Sequence, residues 1–152
     1  MLAKIFKKTV LLGAVVMFMT AGVSRVSAAV ITVNTAADAQ IVFGCSLREA
    51  IYAANNDADT LGCSEVKGTV SGVYGVDTIV VGNYHITVSP NLGRMMINSD
   101  LEIKGISAQN TIIDGNNATS IFYVSTDKRV LIENVSLING KNKFLGGGAI
   151  YN

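Results

Sequence analysis

Tryptophan is absent from this 152-residue chain, histidine and proline occur once each, and cysteine occurs twice. The single histidine, His85, excludes multi-histidine metal sites and weighs against a Ser-His-Asp engine. Charge is scarce: 15% of residues are charged, which argues against a disordered tail and against a basic nucleic-acid binder. A net charge of +1 sets up no long-range field to steer an anionic partner. What remains is 49% hydrophobic, carries 15 glycines and has a mean hydropathy of +0.41. The length fits one domain, and the composition points to an exported, β-rich one.

The N-terminus has its own pattern. Lys4, Lys7 and Lys8 precede an apolar run from Val10 to Val23, and Val26-Ser27-Ala28 places small residues at positions −3 and −1 of a cut. This is the layout of a secretory signal peptide over residues 1–28. A cut after Ala29 is the alternative. The run is shorter than the roughly 20 apolar residues of a spanning helix, so no transmembrane segment is expected after cleavage. Removing Lys4, Lys7, Lys8 and Arg25 leaves eight basic against eleven acidic residues, a net charge of −3. Nucleic acid becomes a still poorer partner.

Both cysteines, Cys45 and Cys63, belong to the exported part. In an oxidising compartment the pair reads as a disulfide. Spacing carries no geometry, so two free thiols stay open as the alternative. Without a neighbouring histidine the pair makes no zinc site.

Ser46-Leu47-Arg48-Glu49 fits a capping box, in which Ser46 and Glu49 satisfy each other's backbone N–H. Leu47, Ala50, Ile51 and Ala54 then recur at i, i+3, i+4 and i+7, so the spacing predicts one amphipathic helix over residues 46–55, stopped by Asn55-Asn56. Arg48 and Glu49 read as cap and solvated face. From Asp77 onward the pattern is short β-branched runs broken by Asn, Asp and Gly: 78–81, 84–88, 101–104, 111–113, 121–124, 130–132 and 135–138. The breakers are residues that turn a chain with φ > 0.

The runs repeat. Leu101 to Ser107 matches Val130 to Ser136 at an offset of 29, and Ile113 to Asn117 matches Ile138 to Asn142 at an offset of 25. A period in the twenties, filled with short strands and tight turns, signals a solenoid whose turns bury apolar rungs only when stacked. A leucine-rich repeat fails because the asparagine of its best window, Asn139, falls one residue early. An antiparallel sandwich is the ordinary alternative, and the copy-to-copy match weighs against it. The expected fold is therefore all-β: a right-handed parallel β-helix with one short N-terminal capping α-helix. The division expected is a cap over residues 29–75 and the first coils over residues 76–152.

Cys45-Ser46-Leu47-Arg48-Glu49-Ala50-Ile51, followed by Ala53-Ala54-Asn55, resembles the CSLREA domain of bacterial exported proteins. Ile31-Thr32-Val33-Asn34 and Asp77-Thr78-Ile79 match what flanks that domain. Asn110-Thr111-Ile112-Ile113-Asp114-Gly115 resembles the coils that follow it. Gly146-Gly147-Gly148-Ala149-Ile150-Tyr151-Asn152 resembles repeats of polymorphic outer-membrane-protein-like surface proteins, which are similar to pectate-lyase-like right-handed β-helices. The resemblance covers about residues 30–152. It departs over residues 63–75, which look inserted, and at Ala149. It implies a large secreted, cell-surface or outer-membrane protein of which this segment is the N-terminal portion, so the remaining coils of a longer chain are an expected partner.

No residue stands out as catalytic, cofactor-binding or metal-ligating. Asp57, Asp59, Asp114 and Asp127 are the candidate acids. Asn55 to Asp59 begins like a calcium loop, but Thr60 and Val66 stand where that loop needs Gly and Glu. Asp114-Gly115 reads as a corner, matched by Asn139 rather than by a second acid, and a glycosidase needs two. His85, on an alternating run, reads as a surface residue. Gly146-Gly147-Gly148 lacks the Lys and Ser/Thr of a phosphate loop. The function expected is a non-enzymatic rod for adhesion, display or glycan binding, with a polysaccharide or a host-surface molecule as ligand. The alternative is a polysaccharide lyase or glycoside hydrolase.

Overall fold

A computed structural model describes residues 28–39, 44–60, 62–63, 66–67, 76–142 and 148–152. The expected signal peptide lies outside the described residues apart from Ala28, as do Gly146, Gly147 and most of 63–75. Among the described residues no helix is long and apolar enough to cross a membrane.

The described residues form one helix and eleven strands, in order: β1 (Ala29–Val33), α1 (Leu47–Asn56), β2 (Val66–Lys67), β3 (Asp77–Val81), β4 (His85–Thr87), β5 (Met95–Ile97), β6 (Leu101–Lys104), β7 (Ile112–Asp114), β8 (Phe122–Val124), β9 (Val130–Glu133), β10 (Ser136–Ile138) and β11 (Ile150–Tyr151). They form three sheets, ordered β2-β1-β3-β6-β9, β10-β7-β4 and β11-β8-β5. From β3 onward each sheet takes every third strand, and every pairing is parallel. Only β2 runs antiparallel, against β1.

The register lines up like with like. In the first sheet Ile31, Ile79, Ile103 and Ile132 are successive ladder partners. In the second the column is Ile86, Ile113 and Leu137. In the third, Met95 pairs with Phe122 and Ile97 with Val124. The first three isoleucines are fully buried, and Ile132, on the last strand of its ladder, packs against the same core half-buried. Each fully buried aliphatic side chain contributes about 1.5–3 kcal/mol.

The corners obey backbone sterics. Every non-glycine residue with φ > 0 among those described is Asn or Asp: Asp57, Asn116, Asn117, Asp127, Asn134 and Asn139. Those side chains tolerate the left-handed region best. Gly105 is required by space: a Cβ there would lie 2.3 Å from the Asn134 carbonyl oxygen. Thr111 ties one corner to the previous one, its Oγ1 accepting from Ile106 N (3.0 Å) and donating to the Gly82 carbonyl (3.0 Å).

Several expectations are revised. The ladder pairs Leu101 with Val130, an offset of 29, but Ile113 with Leu137, an offset of 24 rather than 25. The corners themselves do stack at 25, with Asn139 Nδ2 donating to Asp114 Oδ1 (3.0 Å). Asn139, left-handed at φ 51°, is an extra residue at the second corner that residue matching absorbs into the strand. The helix runs Leu47–Asn56, and its left-handed cap is Asp57, not Asn55 or Asn56. Four strands fall outside the predicted runs: β1, β2, Met95–Ile97, whose Met-Met-Ile is not β-branched enough to stand out, and the two-residue β11.

Candidate functional site

α1 packs against β1, β3 and β5, and so lies beside the first strand of the third sheet. The helix forms where the capping box predicts. Ser46 Oγ accepts from Glu49 N (3.2 Å), and Glu49 Oε2 accepts from Ser46 N (3.3 Å). Cys45 and Cys63 are bonded, with S–S 2.06 Å, and both are buried beside the helix start.

Arg48 and Glu49 are not a solvated face. Glu49 is buried in the capping box. The Arg48 guanidinium grips Asp38 bidentately, Nε to Oδ1 at 2.7 Å and Nη2 to Oδ2 at 2.8 Å, and also donates to the Gly93 carbonyl (2.6 Å). The side chains are 14% and 1% exposed. Asp38 Oδ2 further accepts from Ser89 N (2.7 Å). The pair thus staples the segment before the helix to the turn before β5. Sequence reading missed Asp38 because nothing local marks it: its partners lie 10 and 51 residues away.

Asn55 makes a second tie, donating to the Met96 carbonyl (2.7 Å) and accepting from Asn98 N (2.7 Å). Between the two ties an open groove of about 950 Å³ runs along the helix, lined by Arg48, Tyr52, Asn55, Asp59, Leu92, Arg94, Met96 and Asn98 among others. Tyr52, Leu92 and Met96 are exposed there.

An aromatic stack continues this wall. Met96, Tyr123 and Tyr151 are successive ladder partners on the outward face of the third sheet. The tyrosine rings stack at 5.5 Å with 26° between planes, and the Arg94 guanidinium sits 4.9 Å from the Tyr123 centroid and 5.3 Å from that of Tyr151. Among the described residues Arg94 lies within salt-bridge distance of no acid. Two rings hold the guanidinium in place, and Arg94 also lines the groove. The signal in the sequence was slight: Tyr123 and Tyr151 look like any strand aromatics until the register aligns them.

The expected candidate acids do not meet. Asp57 caps α1, Asp59 lines the groove, and Asp127 sits in a left-handed turn before β9. Asp114 lies at the end of β7, where its carboxyl is held below the usual range by the Asn116 backbone N–H first, then by Asn139 and His85. His85 is exposed, with Nε2 3.2 Å from Asp114 Oδ2. No group of three or more His, Cys, Asp or Glu placed to hold a metal ion occurs among the described residues. The chain matches no protein-family profile, no curated protein and no solved structure.

Proposed function

We propose that the chain is the N-terminal portion of a secreted or cell-surface protein, built as a right-handed parallel β-helix, which binds glycan without cleaving it. The solenoid reading is supported by the every-third-strand order of three parallel sheets and by the aligned isoleucine column. Export is supported by the Lys-rich start, the apolar run and the small residues before Ala29. The disulfide is compatible with an oxidising compartment. The CSLREA resemblance joins the two: such a segment would be the cap and first coils of a longer surface rod.

The glycan reading rests on one observation: Arg94, set against a stacked tyrosine pair, lines an open groove that mixes apolar side chains with Asn, Asp and Arg. Sugar rings present C–H faces to aromatic and thioether surfaces and hydroxyls to polar groups, and grooves with few convergent polar groups are the usual form of ligand sites. A guanidinium that pairs with no acid among the described residues favours sugars that carry carboxylate or sulfate.

The test is a glycan panel applied to the purified exported chain, scored for binding and for depolymerisation. Binding weakened about tenfold by Tyr123→Ala or by Arg94→Ala, with the polymer left intact, is the expected result. Chain cleavage of any bound polysaccharide would replace this reading by the lyase or hydrolase alternative. Binding indifferent to both variants would move the site elsewhere.

A further inference from the structure

We propose that the chain is cut between Ala28 and Ala29 and that the α-ammonium so formed seats on the buried carboxylate of Asp77. This rests on the export reading above and goes beyond it, because it assigns the bond cut and gives the new terminus a partner.

The observation behind it is a buried acid short of partners. Asp77 opens β3 and Ala29 opens β1, and these strands pair in parallel from Val30 opposite Thr78, so the two first residues face each other. Ala29 N donates to Asp77 Oδ1 at 2.8 Å, with Ala29 2% and Asp77 6% exposed. Among the residues whose side chains are described, no Lys or Arg lies within salt-bridge distance of Asp77. The charged group that does act on it is Asp57, at the end of α1, which has the wrong sign. Its ladder partner on β6 is the apolar Leu101. Burial therefore pushes the Asp77 carboxyl upward, opposed by the Ala29 backbone bond, and Asp57 pushes it further up. A buried carboxylate with one neutral donor is an expensive arrangement; adding a cation at hydrogen-bond distance repairs it.

Cleavage supplies that cation at a nitrogen already within hydrogen-bond distance of the carboxylate. The small residues Val26 and Ala28 stand at −3 and −1 of the bond that ends at Ala29 N. In a processing peptidase, water adds to the Ala28 carbonyl, the C–N bond breaks, Ala28 leaves as a carboxylate, and Ala29 N takes up protons to become an ammonium. The amide N–H that donated one bond becomes a charged group with three donors at the same 2.8 Å position. The mature terminus would thus be anchored at the first rung of the first sheet, where fraying would otherwise begin.

The sign of the pH effect follows. An α-amino group has an ordinary pKa of about 7.7–8.0. Paired with Asp77 its folded value lies higher, so its contribution is complete below the ordinary value and lost as pH rises through the folded one.

The experiment expresses the full 152-residue chain in a secreting bacterial host and sequences the exported product from its N-terminus. Ala29 as first residue is expected, with its α-amine shielded from amine-labelling reagents until the protein is unfolded. At pH 6 the product should melt several degrees above a chain that begins at Ala28, and the gap should close at pH above 10. Asp77→Asn in both chains should abolish the gap at either pH. A product beginning at Val30, a freely labelled amine or equal melting points would overturn the inference and leave export intact. A product that retains residues 1–28 would overturn the export reading itself.

Discussion

Between Ala29 and Cys63 the described chain is held by a disulfide, a bidentate ion pair and a capping box. Between Asp77 and Ile138 there is neither a disulfide nor an ion pair that is fully buried; what recurs is a parallel ladder over Ile, Leu, Val and Phe. Both regions feed one core cluster and share the first sheet, yet their chemistry differs. The later strands stack on neighbours of their own kind, on both sides for β3, β6, β7 and β8, so non-directional burial and register suffice. The first circuit has no equivalent preceding it among the described residues: β1 and β3 are 48 residues apart in the ladder, against 24 for β3 and β6. The described part of that span holds a helix, the short β2 and irregular segments, and irregular backbone must be pinned by specific side-chain bonds.

The contrast can be broken from either side. The largest effect is expected at Arg48→Ala, which strands the nearly inaccessible Asp38 without its cation. A loss of about 3–5 kcal/mol is expected in urea unfolding, and Arg48→Lys should not restore it, since a point charge cannot make the bidentate contact. Next comes Ile103→Ala, a fully buried rung between Ile79 and Ile132. Its cost should be about 2–5 kcal/mol. Hydrogen exchange should show that loss spread over all three sheets, because the rung is shared.

Replacing both Cys45 and Cys63 with Ala opens a closure of 18 residues, worth about 3 kcal/mol by chain entropy. Here exchange protection should fall in α1 and persist in β6 to β8. A uniform loss would show that the cap and the stacked strands are one cooperative unit. The smallest effect is expected from acid. The carboxyls of Asp100 (mainly through the Arg129 backbone N–H), Glu102 (through Lys104) and Asp114 (through the Asn116 N–H) are all held below their ordinary values on the surface. A lowered carboxyl stabilises the fold above its unfolded value and ceases to do so as pH falls through the folded one. Melting points should therefore decline gently below about pH 4, lessened in Asp100→Asn. Asp77, shifted upward in the uncut chain, acts there with the opposite sign.

Much of the local structure was legible. The capping box at Ser46 and Glu49 is a contiguous signal, as are the β-branched runs of strands such as Asp77–Val81 and Ile112–Asp114. Asn116, Asn117, Asn134 and Asn139 announced left-handed corners because few other residues tolerate them. The candidate site was far less visible. Arg48 read as a surface charge because its partners, Asp38 and the Gly93 carbonyl, come from segments brought together only by folding. Met96, Tyr123 and Tyr151 became one surface through ladder register, and the spacings of 27 and 28 residues that align them are unequal.

By itself, then, the amino-acid order determined where the chain turns and most of the short segments that extend, since both depend on the φ/ψ preferences and side-chain pattern of neighbours within a few residues. It also placed the cysteines and the small residues ahead of Ala29. Tertiary structure alone decided which strands pair, that Asp77 meets Ala29 N, that Asp38 takes Arg48, and that two distant tyrosines brace Arg94 beside a groove. Those outcomes depend on connection lengths between strands, and a single left-handed residue such as Asn139 shifts them without altering any local preference.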